Sequence, residues 1–250
     1  MGITNEWIID NFYLLAELKT DIVRDRVEIC KSIKDTKNLY YTLRQVAISN
    51  NYNIPFKVLV AELKKYQKDN KINLSYSKIS AIKYLLEFIY IEKLYLLALD
   101  EEEKLLVKEK ISKIIDTSNL DEVKLSTFTD NNFDVYNNKY YIYELSQQIK
   151  RLGNKSNYVF KEINELLESK NIGLKEIIND FHQEKISTNI LISNVFGDLK
   201  RLLELSDEEL FKNVSFTEKL LLMDKVYKSM TIESKVLYRR QITNLAKRKR

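Results

Sequence analysis

The sequence predicts an all-α protein, a multi-helix bundle of roughly nine to eleven helices. Three observations carry this. The 250 residues include only four Gly and one Pro, which leaves little for tight turns or a β-rich fold. Apolar residues recur at 3.6-residue spacing in segment after segment. Helix-start signals of the S-x-x-E kind occur twice, at Ser206/Glu209 and Ser215/Glu218.

In the first half, Thr4 can cap a helix while Ile3 packs on Ile8 as a staple. Ile8, Phe12, Leu15 and Ile22 then make an apolar stripe towards Cys30. Trp7 reads as a packing residue rather than a ligand-stacking ring, because indole is mainly apolar with one donor to satisfy. A helix over Leu39–Ser49 ends in the polar turn of Asn50, Asn51 and Asn53. Pro55 suits the first turn of the next helix, where a missing N–H costs nothing. That helix carries Val58, Leu59, Leu63 and Tyr66 on one face and ends at Asp69-Asn70-Lys71. Another starts near Ser75 and runs through Ile79, Ile82, Leu86, Ile89 and Leu97. The charged stretch Asp100–Lys113 continues it or forms a joint. Its four successive acids, Asp100 to Glu103, point in different directions on a helix and read as a solvated face, not a metal or acid–base pair.

Residues 116–138 are rich in Asp, Asn, Ser and Thr and lack periodicity, so they read as a linker. The expected organisation is an N-terminal helical subdomain over 1–115 and a C-terminal one over 139–250. Helical pattern returns at Tyr140 and stops near Gly153. Ser156 can cap a helix with Val159, Ile163, Leu166 and Leu167 inward. The longest regular stretch then runs from Leu174 to about Leu203, with Gly197 its sole breaker. Ser206 opens a short helix over Asp207–Lys212, Ser215 a longer one from Phe216, and Thr231 the last.

The long 174–203 helix carries an unusual row of uncharged polar residues beside its apolar face. It comprises His182, Gln183, Asn189, Ser193 and Asn194. Asn, Ser and His are mediocre helix formers, so propensity does not explain them. The row reads as a polar seam that pairs with neighbouring helices or a partner. His182 and Asn189 are expected to be at least half-buried and hydrogen-bonded.

Catalytic apparatus is not visible. There is no Gly-rich phosphate loop and no H-E-x-x-H, and one His with one Cys excludes the usual zinc clusters. No catalytic residue, metal ligand or cofactor site is assigned. The single Cys30 cannot form an internal disulfide, which fits a reducing compartment. The most apolar stretch, Tyr84–Leu99, contains Glu87, Glu92 and Lys93 and falls short of the roughly 20 residues a span needs. The net charge of +5 is modest and does not mark a dedicated nucleic-acid protein. Sixteen tyrosines invite a sugar-stacking reading, but neighbours such as Tyr40-Tyr41 and Tyr140-Tyr141 diverge on a helix. Packing with a wet hydroxyl is the default.

The order of several short runs resembles the N-terminal helical region of the cyclic β-1,2-glucan synthases. Glu6-Trp7 and Asp10-Asn11-Phe12-Tyr13-Leu14 are similar to that family's E-W-L-L-D-N-F-Y. Tyr66-Gln67 and Ile91-Glu92 follow, similar to its A-Y-Q and I-E-N. His182-Gln183, Thr188-Asn189, Asn194 and Leu199-Lys200-Arg201-Leu202 resemble its H-Q, T-N-V-T-V-x-N and S-L-R runs. Phe211, Val214-Ser215, Glu218, Leu221, Met230, Ser234, Tyr238-Arg239 and Ala246 continue the series. Lys78–Ser80 stand where the family has a glutamate and a tryptophan.

The resemblance implies a non-catalytic region of a membrane glucosyltransferase that uses UDP-glucose. Such a region would dock on and organise the catalytic domain at the cytoplasmic face of a bacterial membrane. It also implies that the basic end, Lys247-Arg248-Lys249-Arg250, faces an anionic membrane surface. The alternatives are a stand-alone helical adaptor and a nucleic-acid binder acting through that tail. Cations at a helix C-terminus are also favoured by the helix dipole alone.

Overall fold

The computed structural model describes residues 14–18, 36–117, 125–128, 138–151, 157–169, 171 and 173–248. Within them there are a helical stretch over residues 14–18, ten further α-helices, one 3-10 helix and no strand. The chain is all-α. Trp7, Cys30, the Thr4 cap, Gly153, Ser156, most of the 116–138 stretch, Lys249 and Arg250 lie outside the described residues.

The helices are α1 (Thr36–Ser49), α2 (Phe56–Asp69), α3 (Tyr76–Thr117), α4 (Lys139–Lys150), α5 (Asn157–Ser169) and α6 (Leu174–Glu204). They are followed by α7 (Asp207–Val214), α8 (Phe216–Leu221), α9 (Lys225–Ser229) and α10 (Ile232–Arg248). The charged stretch after Leu97 is no joint, because α3 runs through it for 42 residues. The helix expected to be long after Ser215 breaks after Leu221. Amides of Leu222, Met223 and Asp224 bond back to Glu218, Leu220 and Leu221, and Asp224 recaps the chain for α9.

The division into compact units does not follow a linker at 116–138. Among the described residues, one unit is made of those within 95–192; the other combines those within 14–94 with those within 193–248. Both boundaries between 94 and 193 fall inside unbroken helices, α3 and α6. A polar run marks a loop, but it cannot show which helices share a core.

In the first unit, Val107, Ile111, Phe128, Ile142, Leu145, Ile163 and Ile177 close a common core. Tyr141 is fully buried there and donates its hydroxyl to the Phe128 carbonyl at 2.8 Å. Asn138 caps α4 by accepting from the Tyr141 amide. Gln148 ties α4 to α3: its amide donates to the Lys108 carbonyl at 3.0 Å, and its oxygen accepts from Ser112.

In the second unit, Leu39, Leu43, Ala47, Leu63, Leu74, Ile79, Ile82, Val195, Leu210 and Val214 are completely buried. Gln67 joins the end of α2 to the turn just after it and to distant α7. It accepts from the Leu74 amide and donates to the Val214 carbonyl. The Asn50–Asn53 turn places Asn51 and Tyr52 at φ of 48° and 54°. The left-handed conformation costs a tyrosine about 1–2 kcal/mol. Burial of its ring beside Tyr90 at 6.4 Å offsets that cost.

Gly197 sits mid-helix on the exposed side of α6, and a Cβ there would meet nothing within 4 Å. Gly197→Ala should therefore raise stability by about 0.5–1 kcal/mol through helix propensity alone. Urea denaturation followed by circular dichroism measures it. A loss of stability would show that Gly197 has a close neighbour.

Candidate functional site

The most elaborate polar site lies in the second unit and is centred on Arg239. Its side chain is 8% exposed. Nη2 donates to Glu218 Oε1 and Glu208 Oε1, both at 2.8 Å, and Nη1 donates to Glu208 Oε2 at 3.1 Å. Nε donates to Glu218 Oε2 at 2.8 Å and to the Tyr227 hydroxyl at 2.7 Å. That hydroxyl in turn donates to Glu218 Oε2 at 2.6 Å. The rings of Phe211, Tyr76 and Tyr227 surround the guanidinium, with centroids 4.6, 5.4 and 5.9 Å away.

Local sequence explains how the parts converge. Ser215 caps α8 through the Glu218 amide at 3.1 Å. The Glu218 carboxylate, fully buried, goes to Arg239 and Tyr227. Ser206 likewise caps α7 through the Glu209 amide. Burial alone would lower the Arg239 pKa, but the bonds to Glu208, Glu218 and Tyr227 outweigh it and raise it above the ordinary arginine value. Burial and the bond to Glu218 raise Tyr227 well above the usual tyrosine range. Both groups are locked in one protonation state, and the guanidinium fork is directed into the protein. The arrangement suits holding helices together, not proton transfer or substrate capture.

A second buried acid, Asp198, organises the turn before α2. Its Oδ2 accepts from the Ile54 amide at 2.6 Å and from the Tyr90 hydroxyl at 2.8 Å. Oδ1 accepts from Arg201, which also donates to Asn53. Beside this network is a cavity of about 360 Å³, walled by Ile54, Leu59, Leu86, Tyr90 and Leu202 with Arg201, Glu204 and Glu209 at its lining. Ser80 and Lys83 of α3 hold Asp207 at the start of α7, at 2.5 and 3.1 Å.

The first unit holds a smaller cavity of about 240 Å³, lined by Lys104, Tyr140, Tyr143, Phe181 and Glu184 among others. The three rings meet one another, Tyr143 to Phe181 at 5.0 Å and Tyr140 to Phe181 at 5.4 Å. Lys104 is paired with Asp100, Glu101 and Glu184 at 2.8, 3.3 and 2.6 Å. Burial acts to lower its pKa, but the bonds to Asp100 and Glu184 prevail and raise it. Asp100 and Glu101 therefore serve a lysine on their own helix. No group of three His, Cys, Asp or Glu side chains among the described residues is placed to hold a metal.

The polar row of α6 is not a buried seam. His182, Gln183 and Ser193 are exposed, and among the described residues the His182 ring meets that of Tyr143, edge-on at 6.2 Å. Asn189 is half-buried, but its Oδ1 accepts no hydrogen bond among the described residues. Asn194 does make one, donating to the Asn51 carbonyl at 2.9 Å. The apolar stripe of α6 faces the cores more narrowly than expected, which leaves its polar edge outward. Lys247 and Arg248 close α10.

Asp198 could have been suspected from sequence, since it interrupts the apolar positions Val195, Leu199 and Leu202. No local signal pairs Glu208 with Arg239, 31 residues away.

No family model, curated protein or solved structure matches the chain. No helix among the described residues is long and apolar enough to cross a membrane.

The Arg239 network makes a direct test. Arg239→Ala should lower stability by about 3–5 kcal/mol, because it leaves Glu218 buried and unpaired. Arg239→Lys should recover only part of this, since an ammonium cannot bridge two carboxylates as a fork does. Equal stability of Lys and wild type by chemical denaturation would refute the bidentate role.

Alkaline pH tests the buried phenols. Burial, then the Glu92 bond, pushes Tyr40 up to about 12. Tyr90 and Tyr140 are raised further, both by burial first. The unfolded chain releases these protons first, near the ordinary tyrosine value of about 10. Their contribution is complete below that pH and is lost as pH climbs through the folded values. The melting temperature should fall steeply from about pH 10 upward. In Tyr227→Phe this alkaline fall should be shallower, as followed by melting scans with phenolate absorbance.

Proposed function

We propose that this chain is a non-catalytic helical region of a glucosyltransferase of the cyclic β-1,2-glucan synthase kind, and that it docks on and organises the catalytic domain. The ordered resemblance from Glu6-Trp7 to Tyr238-Arg239 suggests the partner. Three of its members, Phe211, Glu218 and Arg239, meet in one buried cluster.

The observation that carries the docking role is the outer face of α10. Leu237 and Leu245 are 62% and 57% exposed, and Tyr238 is exposed beside them. Gln241 and Asn244, also exposed, complete the i, i+4, i+7, i+8 pattern that begins at Leu237. Between Leu237 and Leu245 the one exposed charge is Arg240, which lies at the edge of this face beside Asn244. A partly apolar face with an aromatic ring and an arginine at its rim suits a protein interface. The buried Arg239 on the other side of the same helix holds it rigidly for that purpose. In the same reading, the basic run Lys247–Arg250 lies toward an anionic membrane on the cytoplasmic side, where each cation contributes about 1 kcal/mol.

The test mixes the purified chain with the separately purified glucosyltransferase domain of such a synthase from the same organism. A one-to-one complex is expected by size exclusion. Leu237→Lys and Leu245→Lys should each weaken it by about ten-fold or more while keeping the helical spectrum. The chain alone should not turn over UDP-glucose. Absence of a complex, or one indifferent to both variants, would refute the docking reading.

A further inference from the structure

Helices α8 and α9 form a tip whose outside is more apolar than its size warrants. Phe216, Leu220, Met223 and Val226 are all exposed within eleven residues. Leu220, Met223 and Val226 are 68%, 80% and 67% exposed. Three exposed lysines, Lys219, Lys225 and Lys228, alternate with them. The two acids of the stretch are otherwise engaged: Glu218 is buried against Arg239, and Asp224 caps α9. The outward charge of the tip is therefore positive.

Much of the backbone of this tip is hydrogen-bonded within it. Ser215 accepts from the Glu218 amide, and Asp224 accepts from the amides of Val226 and Tyr227. The amides of Leu222, Met223, Asp224, Lys228 and Met230 bond to carbonyls within the tip. Backbone N–H groups satisfied internally can leave water without the cost of unpaired donors. A tip with exposed apolar side chains, satisfied amides and interleaved lysines has the features of an interfacial element. Its apolar side chains enter the headgroup–acyl boundary while the lysine stems lie along it and keep their ammonium groups at the phosphates.

We propose that residues 216–228 are a membrane-contact tip for an anionic bilayer, with Leu220, Met223 and Val226 inserting and Lys219, Lys225 and Lys228 meeting the lipid phosphates. The positive rim selects an anionic surface. The tip is separate from the basic tail and needs no glucosyltransferase partner.

The experiment is co-sedimentation of the full chain with phosphatidylcholine vesicles, with and without phosphatidylglycerol. Binding is expected only with the anionic lipid and should weaken with salt. Met223→Ser combined with Val226→Ser should weaken it by about ten-fold or more, since both side chains are exposed and the fold should survive. Each of Lys219→Gln, Lys225→Gln and Lys228→Gln should weaken it by roughly five-fold. A variant with all four residues Lys247–Arg250 changed to Gln should still depend on the tip. No binding to anionic vesicles, binding unaffected by the tip variants, or binding lost entirely with the tail would overturn the proposal. It would also fall if the tip variants instead abolished self-association seen by ultracentrifugation without lipid, since a second copy would then cover the patch.

Discussion

One guanidinium fixes the C-terminal helices of the second unit. Arg239 on α10 reaches Glu208 on α7 and Glu218 on α8, and it touches Tyr227 on α9. Helices of five to eight residues have little stability of their own. A single side chain that bonds to all three supplies the order their length cannot. The exchange is not free in energy: desolvating an arginine and a carboxylate costs several kcal/mol, and the gain in net stability over an apolar core is small. What the network provides is a unique arrangement, because a fork between two carboxylates and three rings fits one geometry.

The same logic recurs at Asp198 and Gln67. Each is a polar side chain inside the second unit that satisfies backbone groups far away in sequence. Asp198 takes the Ile54 amide across 144 positions, and Gln67 reaches the Val214 carbonyl across 147. Both link the early part of this unit to its late part. Apolar contacts alone would allow sliding by a helical turn; an amide paired to a buried carboxylate does not. The rigid inner side and the uncovered outer sides of α8, α9 and α10 are two results of one design. Polar groups are directed inward to lock the helices, and apolar ones are left outside.

Most helices were legible because their signals are local. Pro55, Ser206, Ser215 and Thr231 stand at the helix starts they suggested, with the Thr231 hydroxyl accepting from the Ser234 amide. The break at Leu222–Asp224 was less visible, since no Gly or Pro marks it and Asp224 acts as a cap only once the chain has turned. His182 misled for another reason. A polar residue beside an apolar stripe faces in or out according to the width of the neighbouring core, which its own helix does not show. The pairing of residues within 14–94 with those within 193–248 was also beyond the sequence, because a core is shared between helices and leaves no mark on either one. The Arg239 cluster was partly legible: Phe211, Glu218 and Arg239 fall in the runs that carry the resemblance, but Glu208, Tyr227 and Tyr76 do not, and no local signal announced their meeting.

The discontinuity of the second unit bears on how the protein is made. Residues 14–94 leave the ribosome before the 98 residues 95–192, and their partners from Ser193 onward come after. At about 5–20 residues per second, the early half waits on the order of 5–20 s for Val195, Leu210 and Val214 to arrive. During that interval Leu39, Leu43, Leu63 and Ile82, all buried in the finished protein, have no complete core to enter. The nascent chain therefore passes through a stage with a long apolar half-core in water, the kind of species that chaperones hold.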